Sequence, residues 1–131
     1  MNINQFLVGA LFLLLMSCNS DGNAEKQKSL LIGHWDLTEG QRDGKVAESL
    51  RGTYFEFTEE GKMSTKLPIK GGVDSPYVIE DGVIIQTIIN DLKINYDIVE
   101  LDEQQLKLTT TLRGFDFVFD LAKGEEESLS A

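Results

Sequence analysis

The chain has 131 residues, with 12 Lys and Arg against 22 Asp and Glu for a net charge of −10, one Cys and one His. That length is a single domain, and an acidic balance without a basic stripe argues against nucleic acid, because nothing neutralises phosphates. One Cys excludes an internal disulfide, and one His without a Cys cluster excludes a conventional structural zinc site, so neither metal nor cofactor is expected. Hydrophobic content of 41% with two Pro marks a folded chain.

Residues 6–16 carry no charged or strongly polar side chain. The run is too short for a helical membrane span, which needs about 20 residues, and reads as the apolar region of a signal peptide. Leu15-Met16-Ser17-Cys18 follows at once and resembles the lipobox of bacterial lipoproteins. The resemblance implies removal of residues 1–17 as a lipoprotein signal peptide and lipidation of Cys18. It also implies lipid anchoring in the cell envelope at the outer membrane, with the membrane itself as a partner through the N-terminal lipid. Residues 18–29 are polar and without periodicity, a lipidated cysteine and flexible tether, and 124–131 read as an acidic disordered tail. The folded domain is expected over 30–123.

Within it, turn signals recur at short intervals and no long helical pattern intervenes, which points to antiparallel strands. Eight are expected, over 33–39, 52–58, 62–67, 77–80, 83–89, 93–101, 106–112 and 115–121. Alternation places Thr53, Phe55 and Phe57 on one buried face, as it does Leu106, Leu108, Thr110 and Leu112, and Phe115, Phe117, Phe119 and Leu121. Over 93–101, Ile94, Tyr96 and Ile98 face inward and the parity then shifts at Val99 and Leu101, as at a β-bulge. Residues 83–89 are apolar on both faces and leave their register open. Asp81-Gly82 is the strongest hairpin signal, since a type I′ turn needs positive φ at both central positions. Consecutively paired strands lose their exposed edges by closing on themselves, so the expected fold is all-β, an eight-stranded antiparallel up-and-down barrel.

Three features of this order carry a family resemblance: Leu31-Ile32-Gly33-His34-Trp35, the Phe55 to Lys62 hairpin with its Gly61, and the aromatic last strand from Arg113 to Phe119. Together with the lipobox they resemble the lipocalin-like domains of bacterial lipoproteins. The resemblance implies a barrel whose interior accepts a small apolar molecule. It also implies an end plugged by Trp35, with Gly33 bending the chain into the strand and Arg113 lying across the indole. The parity of Arg113, opposite to Leu112, reads instead as a surface charge beside a glycine. His34 points away from Trp35 and reads as an exposed polar residue.

No nucleophile stands beside an oriented base, and no Gly-rich loop leads from strand to helix, so an enzyme is not expected. The expected function is binding of a small hydrophobic or amphipathic ligand by a monomeric barrel, with Phe55, Met63, Tyr77, Tyr96 and Phe117 as candidate contacts. The ligand would enter at the end away from Trp35, past a loop at 68–72 whose glycines let it move and whose Lys66 and Lys70 meet an anionic headgroup. The alternative is a structural or protein-interaction barrel with a packed core, because eight strands enclose an interior that is either just filled or holds one small ligand.

Overall fold

The structure, a computed structural model, describes residues 24–124. The expected signal peptide, the lipidated Cys18 and all of the acidic tail after Gly124 lie outside these residues. The strands are β1 (Gly33–Arg42), β2 (Lys45–Val46), β3 (Tyr54–Phe57), β4 (Lys62–Thr65), β5 (Ser75–Glu80), β6 (Val83–Thr87), β7 (Lys93–Leu101), β8 (Gln105–Leu112) and β9 (Phe115–Lys123). From β3 to β9 each strand pairs antiparallel with the next, and β1 pairs with both β3 and β9. The sheet therefore closes into an eight-stranded antiparallel barrel, with two-residue β2 a spur on β1.

The closing seam runs from Trp35 opposite Lys123 to Arg42 opposite Phe117. β1 is longer than expected because Gly40 does not break it. Gly40 is buried, and a Cβ there would stand 2.8 Å from Cδ1 of Leu50, so its hydrogen lets the 3-10 turn Glu48–Leu50 fold against the strand. The Asp81-Gly82 hairpin has φ of 51° and 76°, and Arg113-Gly114 repeats the geometry at 53° and 84°. The bulge in β7 falls between Ile98 and Glu100. It turns Val99 outward, contrary to the inward placement expected, and returns Leu101 to half-buried packing against the core.

The alternating faces of β3 and β8 are as expected, and Phe55, Phe57, Leu106 and Leu108 are buried. On β9 the pattern holds for Phe119 and Leu121, but Phe115 is 43% exposed because β9 begins beyond the packed interior. The ambiguous strand resolves with Ile84 and Gln86 inward. Phe55 anchors the core, edge-on to Tyr96 at 5.4 Å and tilted to Phe119 at 5.3 Å between ring centroids.

A helix spans residues 24–31, so that 24–29, expected to belong to the flexible tether, are helical. Its C-terminal Leu31 is fully buried, and Leu31 O accepts a 2.8 Å hydrogen bond from Trp35 Nε1. Tertiary packing thus fixes a segment too short to show periodicity in the sequence.

Candidate functional site

Antiparallel alternation sorts the connections to two ends. The helix, the turns at 58–61, 81–82 and 102–104, and the exit of β9 share one end, which holds Trp35. The connections at 43–53, 66–74, 88–92 and 113–114 share the other.

At the first end Trp35 is fully buried. The cation on its ring is Lys123, whose Nζ lies 4.6 Å from the centroid and donates to Ile32 O at 2.6 Å. Gly33, at φ +131°, leaves the room this ammonium occupies. Arg113 does not lie across the indole. It sits in the β8–β9 turn at the opposite end, exposed, with Nη2 3.5 Å from Pro68 O. The surface-charge reading of its parity is the one that fits, and the position of Lys123 at a strand end gave no such signal. His34 points to the outer face but is half-buried rather than exposed as expected, because its ring stacks on Tyr54 at 5.1 Å, with Nε2 3.0 Å from Asp36 Oδ1. Its Nδ1 lies 3.5 Å from Glu56 Oε2, within ion-pair range but without hydrogen-bond geometry.

The interior between the ends is filled. Tyr96 donates to Gln86 Oε1 at 2.6 Å, Gln86 Nε2 donates to Ser75 Oγ at 2.7 Å, and Ser75 donates to Met63 O at 3.3 Å. This relay satisfies a fully buried Gln inside an aromatic core. Tyr77 donates to Thr58 O at 3.4 Å. Burial pushes both phenols up from their ordinary value, Tyr96 the further. Phe55, Met63 and Tyr96 are buried within this core, whereas Tyr77 also borders a cleft of about 210 Å³ with Ala24, Glu25 and Lys28 of the N-terminal helix.

Phe117 is the expected contact that reaches the opposite end of the barrel. A cleft of about 290 Å³ opens at the end away from Trp35. Leu50, Leu67 and Ile69 form one wall and Leu112, Phe115 and Phe117 the other, with Arg42 and Arg113 at its margin. Leu50 and Leu67 are buried and roof the core beneath it. The expected loop at 68–72 does border the cleft, but its glycines serve close packing. A Cβ on Gly71 would stand 2.8 Å from Ile89 N, one on Gly72 2.9 Å from Ile69, and Gly72 O accepts from Thr65 N. Lys66 and Lys70 are exposed and do not line the cleft.

Arg42, Lys45, Arg51, Lys66, Lys70, Lys93 and Arg113 stand around the open end, against Asp43, Glu48, Asp74, Asp91 and Asp116, so that this end carries an excess of cations in a chain of net charge −10. Among the described residues, no cluster of His, Cys, Asp and Glu fit to hold a metal ion is present. No family model, no curated protein and no solved structure matches the chain.

Proposed function

We propose that this chain is a lipid-anchored, non-enzymatic barrel of the lipocalin-like lipoprotein kind that binds a small apolar or amphipathic molecule at its open end. The observation that carries the reading is the cleft itself, whose lining is aliphatic and aromatic and which lies over a core of buried side chains. Burying about 300 Å² of ligand at about 25 cal/mol per Å² yields about 7.5 kcal/mol before association costs, so binding is expected to be weaker than about micromolar. Titration with alkanols and simple aromatics, followed by thermal unfolding, tests it. A rise in Tm that Phe117→Ala abolishes supports the site, and no rise with any compound refutes it. The anchor is tested separately by fractionating cells that express wild type and Cys18→Ala. Equal recovery of both in the soluble fraction removes the lipoprotein part of the proposal.

A second reading, a barrel that binds a protein through its open end, is favoured by one observation. Val46, Val73, Ile89 and Leu92 on the open-end connections are each more than half exposed. Charged substitutions at Ile89 and Leu92 that abolish a native complex while leaving ligand titration unchanged would select this reading.

A further inference from the structure

The cleft is apolar, yet two guanidinium groups border it. Arg42 ends β1 and Arg113 lies in the turn that leads into β9, and these two strands are neighbours across the closing seam. The guanidinium carbon of Arg42 stands 5.2 Å from the centroid of Phe115, on the cleft wall. Arg113 reaches Pro68 O, a neutral acceptor, at 3.5 Å. Among the described residues neither side chain is ion-paired, whereas Arg51 at the same end is held by Glu48 at 2.9 Å. Neither guanidinium is thus committed to a carboxylate of the described chain. Guanidinium is the side chain suited to forked hydrogen bonding of carboxylate and phosphate oxygens.

We propose that Arg42 and Arg113 hold the anionic head of a single-chain amphiphile whose hydrocarbon tail lies in the cleft. This rests on the ligand-binding reading above and specifies its ligand class. A volume of about 290 Å³ is at the small end of ligand pockets, which suits one short chain and not a two-chain lipid. The local excess of cations at the open end favours an anion there over the rest of an acidic molecule.

The test uses the full chain, titrated calorimetrically with decanoate, decyl phosphate and decanol below their aggregation limits. The two anions are expected to bind at least about tenfold more tightly than decanol, the equivalent of about 1.4 kcal/mol. Arg42→Gln and Arg113→Gln should each weaken the anions about five- to tenfold and leave decanol unchanged, while Arg51→Gln changes neither. Decanoate binding by the unaltered chain should also weaken as salt is raised, and decanol binding should not. The salt comparison needs no variant and stands even if a substitution disturbs the turn. Decanol binding as tightly as decanoate, with no salt dependence, overturns the anionic head but leaves an apolar site. No binding of any of the three overturns both.

Discussion

Trp35 and Lys123 face each other across the seam that closes the barrel, and the Lys123 ammonium caps the indole at 4.6 Å while donating to Ile32 O. One side chain thus joins the first strand, the last strand and the plug. Lys123→Ala is expected to cost about 1 to 3 kcal/mol in urea unfolding, since it removes a cation–π contact and a charged hydrogen bond together. Arg113→Ala, an exposed turn position, should stay within about 0.5 kcal/mol. The reverse ranking would show that the seam is held some other way.

Gly33 is coupled to the same ammonium. A Cβ at Gly33 would come 2.7 Å from Lys123 Nζ, on a backbone at φ +131° that L residues rarely adopt. Gly33→Ala should cost about 1 to 3 kcal/mol. In the Lys123→Ala background the loss should be smaller, because only the backbone strain persists. A double-mutant cycle measures the difference, and strict additivity would contradict the contact.

Docking of the 24–31 helix rests on Leu31, which is fully buried beside Trp35. Leu31→Ala is expected to cost about 2 to 5 kcal/mol and to shift the emission of the single tryptophan to the red as water reaches the ring. Unchanged emission and stability would mean that the helix is not part of the folded unit.

Tyr96 makes the stability sensitive to alkali. Its folded-state pKa is raised from 10.0 by burial, so the folded chain retains a proton that the unfolded chain releases. The contribution is fully present below about pH 10 and is lost as pH rises above it. Tyr77 shifts in the same direction for the same reason. Denaturant titrations should give a stability that falls from about pH 10 upward, and Tyr96→Phe should flatten that fall. The same variant leaves Gln86 Oε1 without its donor and should cost about 1 to 3 kcal/mol at neutral pH.

Alternation and turn chemistry made most of the barrel legible. Phe55 and Phe57 against Glu56, and the Asp81-Gly82 turn, act locally, and the structure keeps both as read. What escaped was set by tertiary partners. The first strand runs past Glu39 because Leu50 needs the missing side chain of Gly40, and residues 24–29 look like a spacer until the helix they open brings Leu31 to Trp35. The inward Gln86 was hidden because its partners, Tyr96 and Ser75, arrive from other strands. The cleft was legible only as an end of the barrel, since Arg42, Leu67 and Phe117 meet there from three separate elements.

Because β1 and β9 run antiparallel, the described chain both begins and finishes at the Trp35 end, where Gly124 N still bonds to His34 O. Tension applied between residues 33 and 124 would pull across the ladder and load its hydrogen bonds one after another, Trp35 opposite Lys123 first. Tension between Gly44 and Gly124 would pull along the strands instead and load the seven register pairs of the seam together. Handles attached at the two pairs of positions should therefore give low and high rupture forces for one and the same seam. This small cylinder would behave as a zip in one direction and as a glued lap joint in the other.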